Sequence, residues 1–525
     1  DATWLAIGAS IFASNIGSEH LIGLAGAGAS SGMAMAHWEI QGWMILILGW
    51  VFVPFYTRSM VYTMPEFLER RYNPQSRTIL SVISLVSYVL TKVAVTVYAG
   101  GLVFQQVFGI KELWGIDFFW IAAIGLVVLT ALYTIFGGMK SVLYTSVLQT
   151  PILLLGSLII LVLGFKELGG WDEMMRVCGA VTVNDYGDTM TNLIRSNDDA
   201  NFPWLGALIG SAIIGFWYWC TDQFIVQRVL SGKNEMEARR GTIFGAYLKL
   251  LPVFLFLIPG MIAFALHQKY IGAGGEGFLP MLENGTANAD AAFPTLVAKL
   301  LPAGVKGLVV CGILAALMSS LASLFNSSAM LFTIDFYKRF RPQTSEKKLV
   351  GIGQVATVVI VILGILWIPI MRSVGDVLYT YLQDVQSVLA PGIAAAFLLG
   401  ICWKRTSAQG GMWGLISGMV IGLTRLGAKV YYSNAGEVAD STFKYLFYDM
   451  NWLFFCGWMF LFCIIVVIVV SLATEAPTAE KIQGLVFGTA TKEQKASTRA
   501  SWNHWDIIHT VIILAITGAF YWYFW

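Results

Sequence analysis

Ionisable and amide side chains interrupt stretches of this chain that are otherwise apolar. Seven ionisable groups lie within or beside such stretches, namely Glu19, His20, Glu39, Lys92, Asp222, Lys249 and Arg425. Amide and aromatic residues accompany them there: Asn15, Trp217, Tyr218, Trp219 and Gln383. Because a charge in a membrane-deep apolar segment is costly, such groups mark a functional site by default.

These side chains complement the ring of hydroxyl groups on a hexose. A carboxylate (Glu39), an ammonium (Lys249), an imidazole (His20) and two amides (Asn15 and Gln383) can all exchange hydrogen bonds with hydroxyls. An aromatic ring can stack on the flat face of the sugar. An amino acid is a less natural ligand, because Lys249 and Glu39 would compete for its charges, but the chemistry alone leaves it open.

Four of the charged groups also have structural explanations. Lys92 and Arg425 could extend to the membrane surface or form structural pairs. Asp222 lies close in sequence to Arg228, which favours a structural ion pair. His20 could be a packing group that pairs with its neighbour Glu19.

A second group of residues has the character of a cation site. Ala316, Ser319 and Ser320 follow the i, i+3, i+4 spacing that places them on one face of a helix. With carbonyls of Ala13 and Ile16, freed where a helix breaks, they would provide five neutral oxygen ligands. Such a set suits a hard monovalent cation better than calcium, which usually recruits carboxylates. The alternative is a packing face of small residues.

The composition defines the class of protein. Of 525 residues, 57% are hydrophobic and only 12% are charged, which excludes a soluble enzyme, a disulfide scaffold and a disordered chain. The net charge of +2 gives no field that would attract nucleic acid. The six cysteines are scattered singly, so neither a metal knuckle nor a redox dithiol is predicted. The chain begins inside an apolar stretch, so no signal peptide is expected.

Apolar stretches of about 20 residues predict transmembrane helices. We number thirteen spans: 4–27, 38–56, 79–108, 118–136, 143–164, 205–225, 246–267, 304–334, 350–371, 377–401, 409–428, 452–473 and 507–525. Lys and Arg concentrate in alternate loops, so that side is predicted to be cytoplasmic. Span 1 then runs outward, and the C-terminus lies outside.

Spans 1 and 6 are both interrupted by small or polar residues, at 13–31 and 215–223. Interrupted helices at corresponding positions of two halves indicate an inverted-repeat transporter. The predicted fold is an all-α integral membrane protein with two five-helix halves, broken helices 1 and 6 and extra C-terminal helices. The predicted units are a core over 1–405 with repeats at 4–164 and 205–401, two peripheral helices over 406–473, a cytoplasmic linker over 474–505, and a final transmembrane helix over 506–525.

Several segments together resemble the sodium/glucose cotransporter (SGLT) family of sodium:solute symporters. They include GASIFASNIGSEHLIGLAGAGASSG (8–32), WYWCTDQFIVQRVLSGKN (217–234), LMSSLASLFNSSAMLFTIDFY (317–337) and APGIAAAFLLGICWKR (390–405). The matching segments keep the family's order through most of 4–405. The resemblance implies a LeuT-type core, and it implies that this chain lacks the first of the family's fourteen helices.

The resemblance also implies roles for individual residues. The family's sugar ligands correspond to Asn15, His20, Glu39, Lys249 and Gln383, with Tyr218 as the inner gate and Trp219 beside the pocket. Its sodium ligands correspond to Ala13, Ile16, Ala316, Ser319 and Ser320. Its outer gate corresponds to Leu24, Trp38 and Tyr379.

Three positions depart from the family's pattern. Gly215 replaces a polar residue that faces the sugar, and Thr380 replaces an aspartate of the animal carriers. Ser146 replaces an aspartate near a proposed second sodium site, so one sodium ion per sugar is expected.

We therefore expect a plasma (inner) membrane transporter, not an enzyme. It would couple inward sodium flux to uptake of a glucose- or galactose-like hexose by alternating access. Its partners would be the sugar, sodium and the lipid bilayer, with no nucleic acid. The alternatives are a sodium-coupled symporter for inositol or another solute, and a non-transporting sugar sensor of the same fold.

Overall fold

A computed structural model describes the backbone of residues 2–61, 63–282, 284–374, 377–435 and 439–525. It describes the side chains of these residues except at 133–150, 326 and 372–374. Ser146 therefore lies outside the described side chains. The chain is mainly helical, as predicted, and one short antiparallel hairpin pairs Glu112–Leu113 with Ile116–Asp117.

The helices follow the apolar segments of the sequence. The α-helices are Trp4–Asn15, Ala25–Ser31, Ala36–Glu39, Gly42–Ile47, Val53–Ser59, Met64–Arg71, Pro74–Ser87, Ala94–Phe108, Phe118–Leu168, Trp171–Gly179, Trp204–Gly215, Gln223–Leu230, Glu235–Leu248, Ile258–Gly272, Ala292–Leu300, Ala303–Met330, Lys338–Phe340, Glu346–Val374, Leu378–Cys402, Ala408–Asn434, Thr442–Lys444, Trp452–Ala473, Ala479–Ile482, Lys492–Ala500 and His504–Tyr523. π-Helical turns continue or link them at Glu19–Leu24, Leu48–Phe52, Tyr88–Val93, Phe216–Thr221, Val253–Leu257, Leu331–Tyr337 and Tyr445–Asp449. Two 3₁₀ turns lie at Gly32–Met35 and Ala289–Ala291.

Within the described residues, 10 helical stretches are long and apolar enough to cross a membrane. Two shorter apolar helices, Trp4–Asn15 and Phe118–Leu132, cover the starts of spans 1 and 4. Span 11 lies within the helix Ala408–Asn434, which carries both Arg425 and Lys429. The helices account for an integral membrane protein, as the composition predicts.

The boundary between spans 4 and 5 differs from the prediction. The sequence suggests two helices separated near 137–142, whereas the backbone is helical throughout Phe118–Leu168. The helical assignment therefore covers both predicted spans and the residues between them.

The breaks in spans 1 and 6 are present, and each has a local cause. In span 1 the helix ends at Asn15, and Ile16 is extended with φ −80° and ψ 103° before helix resumes at Glu19. In span 6 the π-helical turn Phe216–Thr221 ends at Asp222, which is extended with ψ 129°. The Asp222 carboxylate then accepts a hydrogen bond from Phe224 N and begins the next helix.

Spans 1 and 7 pack backbone to backbone. A Cβ on Gly28 would collide with the Leu257 carbonyl, and one on Gly260 would collide with the Ala25 carbonyl. These glycines allow the second half of span 1 to lie directly against span 7, which carries Lys249 at its other end. Small residues at helix contacts permit such close approach in membranes.

Span 10 is capped by an acidic residue from a neighbouring loop. Asp290 is only 3% exposed, and both of its carboxylate oxygens accept from Leu378 N, at 3.2 and 3.1 Å. Burial raises the pKa of Asp290 to about 7. Gly26 of span 1 lies against the same carboxylate, so Asp290 connects the start of span 10 to span 1.

The segment 474–505 crosses several helices at the predicted cytoplasmic end. Phe487 N donates to the Ile401 carbonyl at 2.9 Å, and its ring meets Phe55 with centroids 4.9 Å apart. Further along, Thr498 accepts from Arg58 at 2.7 Å and donates to Glu235 at 3.3 Å. The segment therefore contacts spans 2 and 10 and the start of the helix that contains span 7.

The C-terminal helix His504–Tyr523 packs along span 2. Trp50 donates to Thr510 at 2.9 Å, and Tyr521 Oη lies 2.8 Å from His37 Nδ1. His37 Nε2 lies 2.9 Å from the Leu193 carbonyl. Leu193 N in turn donates to Phe524 O at 2.8 Å, which holds the outer end of this helix.

Candidate substrate and ion site

A polar cavity lies where the breaks of spans 1 and 6 meet spans 2, 3, 7 and 10. Its volume is about 50 Å³, which is room for a few water molecules. All seven residues predicted to contact substrate line it, namely Asn15, His20, Glu39, Tyr218, Trp219, Lys249 and Gln383. The fold thus brings together residues that are up to several hundred positions apart in sequence.

Glu39 is the centre of the polar network in this cavity. Its carboxylate is 1% exposed and accepts from Lys249 Nζ at 2.5 Å and from Tyr379 Oη at 2.5 Å. His20 Nε2 lies 3.3 Å from the same carboxylate. Glu39 and Lys249 therefore neutralise each other, while spans 1, 2, 7 and 10 meet at one carboxylate.

His20 joins this network and does not pair with Glu19. Besides Glu39, its Nε2 atom lies 3.3 Å from Asn15 Nδ2. Within the described structure its Nδ1 atom has no hydrogen-bond partner, nor do Trp38 Nε1 and Gln383 Oε1. Buried polar atoms are normally hydrogen-bonded, so these three atoms are available to a polar ligand.

The aromatic residues of span 6 lie on the π-helical turn Phe216–Thr221. The rings of Tyr218 and Trp219 meet edge to face with centroids 5.0 Å apart. Lys249 Nζ lies 5.3 Å from the centre of the Trp219 ring, and Lys92 Nζ lies 5.1 Å from that of Tyr218. π-Helical turns are frequent at functional sites because they alter the direction of adjacent side chains.

The predicted ion pair between Asp222 and Arg228 is wrong. Asp222 instead pairs with Lys92 at 3.2 Å and accepts from Tyr88 Oη at 3.2 Å. Neighbours in sequence favoured Arg228, but the break at Asp222 turns its carboxylate toward span 3. Lys92 is therefore a cavity residue and not a surface one.

Arg425 has the structural role considered for it. It donates to the carbonyls of Leu446 at 3.1 Å and Met450 at 2.6 Å. Its guanidinium lies 4.0 Å from the centre of the Phe455 ring. These contacts attach span 11 to the segment that precedes span 12.

The three residues suggested as an outer gate are not equivalent. Trp38 and Tyr379 line the cavity, and Tyr379 is tied to Glu39. Leu24 is fully buried and is not among the described lining residues, although its neighbour Gly23 lies against the Tyr379 ring. Tyr218, suggested as the inner gate, also lines the cavity and lies beside Lys92.

The five residues suggested for cation binding lie on span 8 and at the break in span 1. Ala13 is in the last turn of the Trp4–Asn15 helix, where carbonyls lack a following helical N–H, and Ile16 is extended. Ala316, Ser319 and Ser320 lie within the Ala303–Met330 helix. A Cβ on Gly17 would lie 3.0 Å from Ser320 Oγ, which brings span 8 against the break.

Several lining residues were not singled out as ligands from sequence. They are Glu19, Gln41, Thr91, Lys92 and Gln386. Gln386 follows Gln383 by one helical turn, a spacing that could have identified it. Gln41 also explains the departure at Gly215, because a Cβ there would collide with Gln41, whose amide donates to the Ser211 carbonyl at 2.7 Å.

Two broken helices around a buried polar cavity, with extended backbone and hydroxyls nearby, define a secondary transporter of the LeuT type. A substrate-bound, outward-open Na⁺-coupled sialic acid symporter has the same fold, with a TM-score of 0.68 at 22% identity and 91% coverage of each chain. The chain belongs to the sodium:solute symporter family, whose sequence model matches residues 1–418.

The relatives include human sodium/myo-inositol cotransporter 2, which is 37% identical over 502 residues that cover 93% of this chain and 73% of the relative. Canine sodium/myo-inositol cotransporter is 37% identical over 508 residues, covering 92% and 70%. The resemblance to the SGLT family is thereby confirmed. The protein is a sodium-coupled solute symporter and an integral membrane protein, not an enzyme.

Proposed function

We propose that this symporter carries a neutral, polyhydroxylated six-membered ring, with a hexose as the first candidate. The observation that supports this is the pairing of Glu39 with Lys249 at 2.5 Å. Because these charges satisfy each other, neither Glu39 nor Lys249 is free to bind the opposite charge of a solute. A solute that used either of them as a counter-charge would have to break a buried ion pair, whereas a hydroxyl can donate to Glu39 and accept from Lys249 while the pair persists.

The unpartnered atoms in the cavity support the same ligand class. His20 Nδ1, Gln383 Oε1 and Trp38 Nε1 are buried without partners in the described structure, and Asn15 Nδ2 is nearby. They include donors and acceptors, as a ring of hydroxyls requires. In this proposal Asn15, His20, Glu39, Lys249 and Gln383 bind hydroxyls, while Tyr218 and Trp219 bound the ring from the predicted cytoplasmic side.

Inositol is the second candidate, and the relatives favour it. The proteins that are 37% identical to this chain are named sodium/myo-inositol cotransporters. Inositol and a pyranose hexose both present hydroxyls around a six-membered ring, so the network around Glu39 suits either. They differ in the ring oxygen and the exocyclic hydroxymethyl group of the hexose.

We propose that sodium binds the carbonyls of Ala13, Ile16 and Ala316 and the hydroxyls of Ser319 and Ser320. An ion there would link span 1 to span 8 and fix the break that carries Asn15 and His20. Sodium that binds the outward-open state more tightly would shift the population toward it and order the substrate site. Opening toward the outside would involve Trp38 and Tyr379, with Leu24 behind them, and opening toward the inside would involve Tyr218.

We propose that substrate binding, sodium binding and gating all take place in the core over 1–405, with its repeats at 4–164 and 205–401. The helices over 406–473, the linker over 474–505 and the final helix over 506–525 are peripheral to the cavity. None of the described lining residues comes from 406–525.

A counterflow experiment tests the function and distinguishes the substrates. Proteoliposomes that contain the full chain are loaded with glucose, galactose, myo-inositol or proline, and exchange of the labelled solute is followed in sodium or choline buffer. We expect sodium-dependent exchange of a hexose or inositol and none of proline. Exchange of proline alone would refute the ligand class, and binding of sugar without exchange would identify a sensor.

A further inference from the structure

Glu19 lies between the proposed substrate site and the proposed sodium site. It begins the π-helical turn Glu19–Leu24, lines the cavity and is half-buried. On its other side, a Cβ on Gly17 would lie 2.7 Å from Glu19 Oε2 and 3.0 Å from Ser320 Oγ. The carboxylate and the Ser320 hydroxyl therefore border the same small space at the break in span 1.

Glu19 has no positively charged partner among the described residues. The cations that line the cavity are engaged elsewhere, Lys249 with Glu39 and Lys92 with Asp222. The hydrogen bond given to its carboxylate comes from Ser18 Oγ at 3.3 Å, and Ser18 also lies 3.0 Å from Thr96 Oγ1. A carboxylate at this depth without a cation is costly, which favours a mobile cation beside it.

We propose that Glu19 provides the negative charge that the neutral sodium ligands lack, and so determines the affinity of this symporter for its coupling ion. This inference rests on the proposed sodium ligands. Five neutral oxygens leave the charge of the ion uncompensated in a medium of low dielectric constant. At an effective dielectric constant near 20, a carboxylate roughly 6 Å from the ion compensates the charge of the ion strongly. Loss of the charge on Glu19 should therefore weaken sodium binding about tenfold or more.

The position of Glu19 also offers a route for coupling. The same short stretch carries the Ile16 carbonyl, Glu19 and His20, and His20 contacts Glu39 at 3.3 Å. An ion that draws the Glu19 carboxylate toward Ser320 would hold this turn in one position. The alternative is that Glu19 contacts only the substrate, which would change substrate affinity and leave sodium affinity unchanged.

Sodium-dependent thermal stabilisation of the purified full chain tests the proposal in the absence of substrate. Unfolding is followed in detergent as sodium chloride replaces choline chloride, for the wild type and Glu19→Gln, which keeps the shape of the side chain but removes its charge. We expect the sodium concentration for half-maximal stabilisation to rise about tenfold or more. Glu112→Gln, at an exposed position, is the matched control and should leave it unchanged.

Two further variants separate the possible failures. Ser319→Ala with Ser320→Ala should also raise the half-maximal sodium concentration. If the double serine variant raises the half-maximal sodium concentration and Glu19→Gln does not, the inference about Glu19 is wrong while the sodium site stands. If neither variant raises this concentration, the sodium site itself is misplaced.

Substrate titrations at saturating sodium complete the test. Glu19→Gln should change the substrate concentration for half-maximal uptake by less than about threefold. A large change there with unaltered sodium affinity would assign Glu19 to the substrate instead. Glu19→Ala is the second neutral variant, to be used where Glu19→Gln does not fold.

Discussion

Removing one member of the Glu39–Lys249 pair should damage both stability and transport, but removing both charges should restore only stability. The single variants are Glu39→Gln and Lys249→Met, and the double variant combines them. Lys249→Met leaves a carboxylate that is 1% exposed, with Tyr379 and His20 as its remaining partners among the described side chains. Glu39→Gln leaves a buried ammonium without its counter-charge.

The magnitude follows from the burial of the pair. Breaking a buried ion pair by removing one partner costs about 3–5 kcal/mol, because the other charge stays desolvated. The hydrogen bond from Tyr379 offsets part of this for Lys249→Met, since a bond to a charged group contributes about 1.5–3 kcal/mol. We therefore expect Glu39→Gln to be the more destabilising single variant. Uncharged replacements at both positions are often neutral or stabilising, so the double variant should approach the wild type in stability.

The assay compares the free energy of unfolding in detergent with solute uptake in proteoliposomes. The cycle should give a coupling energy of about 3 kcal/mol or more, with uptake abolished in all three variants. The exposed Glu112→Gln variant should match the wild type in both measurements. If the losses of unfolding free energy in the two single variants simply add in the double variant, the two charges do not depend on each other. Uptake by the double variant would show that neither Glu39 nor Lys249 is needed to bind the substrate.

Three further predictions concern individual groups. His20→Gln should keep most transport, whereas His20→Leu should raise the substrate concentration needed by roughly 5- to 150-fold through a lost hydrogen bond of about 1–3 kcal/mol; equal titrations for the two would rule out a hydrogen-bonding role. The pKa of Asp290 is raised from an ordinary 3.8 to about 7 in the folded protein, so folding takes up a proton at any pH between these two values. The free energy of unfolding should therefore fall as the pH rises from 3.8 to 7, by at most about 4 kcal/mol. Asp290→Asn should therefore gain stability over the wild type at pH 8 more than at pH 5, and an equal difference at both pH values would contradict the reasoning. Lys92→Met should destabilise the protein by leaving Asp222 uncompensated, and adding Asp222→Asn should recover stability in urea titrations; a double variant as unstable as the single one would count against the pair.

The members of the site were accessible from sequence because each one is conspicuous in its own segment. Glu39 and Lys249 are charges beside or within apolar spans, and His20 and Asn15 flank the break in span 1. Composition and spacing identified these residues separately, and the resemblance to the SGLT family gave them roles. The fold class followed from the same breaks together with that resemblance.

The pairings within the site were not accessible, because they depend on how helices pack. Nothing in the sequence shows that Tyr379 donates to Glu39, since 340 residues separate them. For Asp222, proximity in sequence pointed to Arg228, but the extended backbone at the break directs the carboxylate to Lys92. The sequence likewise suggested an interruption near 137–142, whereas the backbone is helical throughout Phe118–Leu168. Polar residues and glycines in an apolar stretch do not by themselves show where a helix ends.

The attachment of the C-terminal helix to His37 has a consequence for how the protein is made. His37 and Tyr521 are 484 residues apart, and ribosomes add about 5–20 residues per second, so roughly 25 to 100 seconds pass between the synthesis of the two. During that time Thr510 and Tyr521 have not been synthesised, so Trp50 Nε1 and His37 Nδ1 of span 2 lack these hydrogen-bond partners. A chain truncated before His504 would keep these groups without those partners, so the packing of span 2 is completed only when the helix His504–Tyr523 has been made.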